Sequence, residues 1–172
     1  MKKPGDIVYI VGMTYQELGG SEYLAMHHCI GNQVPQVRAE QAKELYHRLH
    51  RAMMEGLIAS CHDCSDGGMG VALAESAFAG GFGMEVDLAK VPAEGIERDD
   101  YLLFSESQSR FIVTVHPAKQ KAFLSMMKGI SLGEIGKVTK GRAFVVIGLK
   151  GQKIIQGDIY KLKAAWQRTL GV

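Results

Sequence analysis

The chain has 172 residues, of which 47% are hydrophobic and 22% charged, with a formal net charge of +2. That length suffices for one domain with a sizeable core, and the composition is that of an ordinary soluble globular protein. Twenty basic against eighteen acidic side chains is too small a bias to argue for nucleic acid or a membrane surface as a partner.

In chain order, residues 6–12 form a short β-branched apolar run closed by glycine, which reads as a buried strand. A loop follows, carrying Glu17-Leu18-Gly19-Gly20-Ser21-Glu22-Tyr23. Across 38–57, Ala42, Leu45, Leu49, Ala52, Met53 and Leu57 share one helical face, and Gly56 marks the end. Met53, Met54, Met126 and Met127 read as core filler at helical spacing. Residues 58–61 are a short strand that feeds the corner Ser60-Cys61-His62-Asp63-Cys64-Ser65-Asp66-Gly67-Gly68-Met69-Gly70. The helix predicted from about 67 to 79 places Val71, Leu73, Ala74, Ala77 and Phe78 on a broad apolar surface, so it should be covered on most sides. Gly80-Gly81 ends it.

Residues 83–88 alternate apolar with acidic side chains and predict a half-buried strand. An acidic helix or turn over 99–107, a strand over 110–115 and a helix over 117–128 opened by Pro117 come next. Residues 133–138, 142–147 and 153–155 are three more short strands. Asp158 caps a last helix that runs through Leu162, Ala165 and Trp166 to Leu170. The alternation predicts an α/β or α+β fold: a mixed β-sheet flanked by helices, one domain over 1–172 with no internal boundary.

The opening six residues lack the apolar stretch of a secretory leader, and no run approaches the roughly 18 apolar residues of a membrane span. Three cysteines argue against a disulfide framework, and the cytoplasm is the expected compartment.

Two polar clusters carry candidate chemistry. Asp63, Asp66 and the backbone of Gly67 and Gly68 lie at a strand-to-helix corner, where a helix N-terminus favours anions. Two carboxylates would repel a bare phosphate, so a ligand there needs a bridging Mg²⁺ or a ribose hydroxyl. Otherwise Asp63, Ser65 or Asp66 simply caps the helix. The second cluster is Ser105-Glu106-Ser107-Gln108. Glu106 can accept from ribose hydroxyls, and Gln108 both donates and accepts. The alternative is a turn whose side chains satisfy backbone groups, with Arg110 paired to Glu106 or another acid. Cys61 and Cys64 have zinc-like spacing, but one such pair is not a zinc site, so both read as small buried hydrophobes. His62 reads as a hydrogen-bonded corner residue unless a nucleophile adjoins it. The Gly19-Gly20-Ser21-Glu22 loop either cradles an anion or docks against a neighbouring domain.

Three motifs recur in order: Leu18-Gly19-Gly20-Ser21-Glu22-Tyr23, His62-Asp63-Cys64-Ser65-Asp66-Gly67-Gly68 through Glu75, and Leu103-Phe104-Ser105-Glu106-Ser107-Gln108-Ser109-Arg110-Phe111. Together they resemble the C-terminal domain of the aminoimidazole-ribonucleotide-synthetase-related superfamily, and within it the formylglycinamidine ribonucleotide synthase family. The resemblance implies an ATP-dependent ligase of purine biosynthesis. ATP phosphorylates the formamide oxygen of formylglycinamide ribonucleotide, and glutamine-derived ammonia displaces the phosphate to leave the amidine. It implies ATP and Mg²⁺ as cofactors of the full-length enzyme and none bound to this chain. It also implies three kinds of partner: N-terminal ATP-binding domains of the same subunit, a glutaminase subunit and a small accessory subunit. The chain resembles the last domain of the longer subunit, so no catalytic residue is assigned within it and the isolated chain is expected to be inactive. The alternatives are a non-catalytic ligand-binding or interaction module, and a related ATP-using enzyme of the selenophosphate synthetase or hydrogenase-maturation type.

Overall fold

The computed structural model describes residues 3–168. The chain runs β1 (Ile7–Val11), β2 (Thr14–Tyr15), α1 (Glu22–Met26), α2 (Ala39–Met54), β3 (Ser60–Asp63), α3 (Gly68–Gly80) and β4 (Gly83–Asp87). It continues through a 3₁₀ turn (Leu88–Lys90), β5 (Ala93–Glu94), α4 (Asp99–Phe104), β6 (Phe111–Val115), a second 3₁₀ turn (Pro117–Lys119) and α5 (Gln120–Met126). Strand β7 (Leu132–Thr139), the hairpin of β8 (Ala143–Ile147) and β9 (Lys153–Asp158), and then α6 (Ile159–Arg168) complete it.

Seven strands form one mixed sheet in the order β3-β6-β1-β7-β4-β8-β9, and β2 and β5 make a separate two-stranded parallel pair. All pairs in the large sheet are antiparallel except β4 with β8. β1 lies in the interior, which explains its unbroken apolar sequence. Val8 and Ile10 join the core under α3, whereas Tyr9 and Val11 point to the opposite face, where α2 and α5 pack. Helices therefore cover both faces of the β6-β1 region, and the predicted mixed sheet with flanking helices is the observed architecture.

α2 follows the predicted face at Ala42, Leu45, Leu49 and Ala52, all buried. The helix stops at Met54, so Leu57 lies beyond it and packs against the second core from the connecting turn. The methionines divide: Met127 is buried and Met126 partly so, but Met53 and Met54 are exposed. Helical spacing alone cannot separate the packed side of α2 from its shoulder. α3 buries Met69, Ala72, Leu73 and Ala77 between the sheet, α4 and α6, and Gly81 closes it in the left-handed conformation. The strand before it is displaced by two residues from its expected start, to Ser60–Asp63, because its register is set by pairing with β6. Asp158 accepts from the N–H groups of Tyr160 and Lys161 and caps α6 as expected; Leu170 lies outside the described residues. Ala165 and Trp166, through which the last helix runs, are exposed, and the Trp166 ring lies 5.7 Å from the Phe78 ring, centroid to centroid.

Candidate functional site

The glycine corner and the serine-rich run meet. The Gly67 N–H at the mouth of α3 donates to Glu106 Oε1 at 2.8 Å, and the Glu22 N–H, first in α1, donates to the same oxygen at 3.1 Å. One carboxylate thus bridges two helix N-termini, where its charge is favoured. It also ties together all three sequence motifs. The Gly68 N–H donates to Ser65 O at 2.9 Å. Gly67 and Gly68 both have positive φ, +78° and +62°, and a Cβ on Gly68 would overlap the Ser105 carbonyl oxygen. Glycine is required there both by conformation and by the close approach of a neighbouring backbone.

None of the three side chains considered as caps fills that role on α3, whose N-cap is Gly67. Asp63 and Asp66 are exposed, and Asp63 accepts from Ser65 Oγ at 2.6 Å. That hydrogen bond holds the Asp63 carboxyl below its usual pKa. The Gly67 and Gly68 donors are taken by Glu106 and Ser65, so a phosphate on those two N–H groups would have to displace an internal acceptor.

The Ser105–Gln108 run alternates. Ser105 and Ser107 are fully buried, while Glu106 is half-buried and Gln108 exposed. Ser105 Oγ donates to Tyr15 O at 2.6 Å and accepts from Glu17 N at 3.2 Å; Ser107 Oγ accepts from Tyr15 N at 3.0 Å. The two hydroxyls therefore serve the backbone at the end of β2 and just beyond it, and the two longer side chains are less buried. The expectation that Arg110 pairs with an acid is corrected. Arg110 is buried, donating through Nε to Ser107 O at 3.0 Å, through Nη1 to Thr14 Oγ1 at 3.1 Å and through Nη2 to Ser105 O. Burial lowers its pKa, and three neutral oxygens satisfy the guanidinium instead of a carboxylate. Sequence alone left this residue out of the site, although a charged side chain opening a strand of apolar residues was a visible signal.

Gln108 lines a hollow that includes none of Glu106, Asp63 and Asp66. With Tyr15, Arg38, Gln41 and Ser109 it borders a cleft of about 590 Å³ between the start of α2 and the sheet. Arg38, also unassigned from sequence, lies 3.4 Å above the Tyr15 ring and pairs with the buried Glu17 at 2.9 Å. A second cleft, about 450 Å³, includes Cys61, His62, Glu75 and Trp166. There His62 Nε2 is hydrogen-bonded to Glu75 at 2.7 Å, as befits a corner residue. Burial pushes the Cys61 and Cys64 thiols up to about 11 each, which suits small apolar fillers. In the Gly19–Glu22 loop the Gly19 and Gly20 N–H groups donate to Gln33 O and Ile30 O, so neither is turned toward an anion. Among the described residues no three His, Cys, Asp or Glu side chains group closely enough to hold a metal ion. Among them, too, no helix is long and apolar enough to cross a membrane.

Comparison with known proteins agrees with these motifs. The phosphoribosylformylglycinamidine synthase subunit PurL of Moorella thermoacetica is 36% identical over 174 residues, covering 99% of this chain and 23% of that protein. The Methanocaldococcus jannaschii subunit of the same name is 36% identical over 162 residues, covering 94% and 21%. The chain therefore spans less than a quarter of the length of these curated relatives. Its fold is that of the T. maritima PurL structure complexed with FGAR, with a TM-score of 0.81 at 23% identity over 94% of this chain and 28% of the other. E. coli HypE, a hydrogenase maturation protein, shares the fold more loosely, with a TM-score of 0.67 at 18% identity over 92% of this chain and 51% of the other. Residues 3–148 match the family described as AIR synthase related protein, C-terminal domain, and the chain belongs to that family.

Proposed function

We propose that this chain is one AIR synthase C-terminal-type domain, a part of a longer phosphoribosylformylglycinamidine synthase subunit, and contributes one wall of a ribonucleotide cleft. In that role it serves ATP-dependent conversion of formylglycinamide ribonucleotide and glutamine-derived ammonia to the amidine. The observation that carries the reading is Glu106, whose carboxylate joins the glycine corner, the α1 start and the Ser105–Gln108 run at one place. The identity to synthase subunits over nearly the whole chain supports it.

The chemistry of the wall favours a hydroxyl-rich ligand. Its outward groups are Asp63, Asp66 and Glu106, and carboxylates accept from ribose hydroxyls but repel phosphate; Gln108 faces the separate cleft beside α2. Ser105 and Ser107 act behind it by holding the turn, and Gly67 and Gly68 act by letting the backbones approach. Mg²⁺ takes one or two carboxylates beside water and substrate phosphates, so Asp63 and Asp66 by themselves do not define a metal site, and no step is assigned to a metal held by this chain. ATP, Mg²⁺, a glutaminase subunit and a small accessory subunit belong to the intact enzyme in this reading. The likeness to PurL complexed with ATP and to PurLQS from Thermotoga maritima is in keeping with it.

The test is a titration of the chain with formylglycinamide ribonucleotide, ADP and inorganic phosphate, followed by amide chemical shifts. The ribonucleotide should move Gly67 and Glu106, and inorganic phosphate alone should not. A ribonucleotide titration that leaves both signals in place would overturn the proposal.

A further inference from the structure

The ligand wall uses neither His62 nor Trp166. Both line the cleft of about 450 Å³ between the edge strand β3 and the second half of α3. None of Asp63, Asp66, Gly67 and Glu106 borders that cleft. Its α3 residues run from Glu75 to Gly80, roughly 10–18 Å along the helix axis from Gly68 at 1.5 Å per residue. The cleft is therefore a site of its own, at the other end of the helix.

Two rings wall it. Trp166 is 42% exposed, and its ring lies 5.7 Å from that of the half-buried Phe78, with the planes 48° apart. α6 is anchored in the core through Ile159 and Leu162, toward its other end, and leaves the indole half on the surface. Such rings offer large apolar faces on which a flat ligand can stack. The polar part of the lining is held in place. His62 Nε2 donates to Glu75 Oε2 at 2.7 Å, since a carboxylate only accepts, and Nδ1 of the same ring stands 3.6 Å from Asp63 Oδ1. The imidazole thus fixes the Glu75 carboxylate, whose two oxygens have lone pairs for about four donors. Among the described residues no Lys or Arg lines the cleft, so a phosphate finds no cation there.

We propose that this cleft binds a fused heteroaromatic ring carrying adjacent N–H donors, of which guanine is the commonest natural example. The ring stacks against Trp166 and Phe78, and the donors rest on Glu75. Carboxylate oxygens accept paired N–H groups side by side, as they do from a guanidinium. The volume lies within the range of small-molecule sites, and two aromatic walls with one convergent polar pair are their usual composition. The inference goes beyond the ribonucleotide reading and does not rest on it.

The chain has one tryptophan, so its indole N–H gives a single signal in a ¹H–¹⁵N spectrum. Guanosine should shift that signal saturably, with half-saturation below about 1 mM. Inosine lacks the amino group and purine riboside lacks every ring donor, so the two should bind more weakly in that order. The second should lose about tenfold or more, the scale of hydrogen bonds to a charged group. Glu75→Gln should weaken guanosine by a similar factor. Ala79→Tyr fills the cleft from an exposed position and should abolish the shift without lowering the melting temperature. No saturable shift, an equal response to the three nucleosides, or a shift indifferent to Ala79→Tyr overturns the inference. So does guanosine that moves the Gly67 amide and not the indole, since it then sits on the ligand wall. The wall is judged separately: a ribonucleotide titration silent at Gly67 and Glu106, beside a guanosine shift at Trp166 that behaves as stated, removes the wall reading and leaves this site.

Discussion

Arg110 Nε donates to the Ser107 carbonyl at 3.0 Å, so a fully buried cation grips from within the turn that exposes Glu106 and Gln108. The turn is rigid because two of its own carbonyls, those of Ser105 and Ser107, are bound by one planar fork. Replacing Arg110 with Met removes the donor for both carbonyls and for Thr14. Unsatisfied buried acceptors and imperfect filling should together cost on the order of 3 kcal/mol. Arg110→Lys should recover little of it, because a single ammonium cannot reproduce the fork. Urea denaturation of the three proteins measures both.

The Glu106 bridge makes a graded prediction. Glu106→Ala leaves two helix-terminal N–H groups without their acceptor and should destabilise the domain by about 1–2 kcal/mol, the scale of a lost N-cap. Glu106→Gln keeps a carbonyl oxygen but loses the charge, and about half that effect is expected. Equal unfolding midpoints for wild type and Glu106→Ala would show that the bridge contributes nothing.

Two glycines with similar φ should respond differently to alanine. At Gly20, φ is +76° and a Cβ meets nothing within 4 Å, so Gly20→Ala carries only the left-handed backbone penalty of about 1 kcal/mol. At Gly68, φ is +62° and the Cβ overlaps the Ser105 carbonyl, so the strand-to-helix corner must move off the serine-rich turn. Gly68→Ala should cost at least about 1 kcal/mol more than Gly20→Ala. Thermal melts of the pair decide it.

Acid should expose the Arg98–Asp100–Tyr23 cluster. Hydrogen bonds from Arg98 foremost, and from Tyr23, hold the Asp100 carboxyl at about 2, below the ordinary 3.8. A depressed carboxyl contributes stability that is fully present above its unfolded value and is lost as pH falls through the folded one. Stability should therefore decline between about pH 4 and pH 2. Asp100→Asn should lose that component and flatten the decline, as read from unfolding midpoints across the window.

Thiol reactivity should rank the cysteines. Cys29 is exposed, whereas Cys64 is buried with its thiol raised to about 11 by burial. An exposed thiol reacts through its thiolate, and the buried one is both shielded and protonated at neutral pH. A disulfide-exchange dye at pH 7.5 should find Cys29 fast in the folded chain and Cys64 only after denaturation. Cys64 reacting at the rate of Cys29 would contradict the packing around α3.

Local chemistry made much of this molecule readable from residue order alone. The apolar run of β1, the spaced face of α2, the alanine-rich α3 closed by Gly81, and the capping Asp158 each follow from constraints acting over a few neighbours, namely periodicity, glycine conformation and a side-chain cap. The three polar motifs likewise announced the family. What the chain could not display in one dimension was who meets whom. Ser105 and Glu106 are adjacent, yet one is buried against Tyr15 and Glu17 and the other reaches Gly67, because register between distant strands decides which side of a turn faces in. Arg110 as a neutral-oxygen clamp, Met53 and Met54 on the outside of α2, and the β2–β5 pair also depend on contacts made across the fold. Local pattern carries conformational preference; desolvation and long-range pairing assign each side chain its partner, and they act only once the chain has closed on itself.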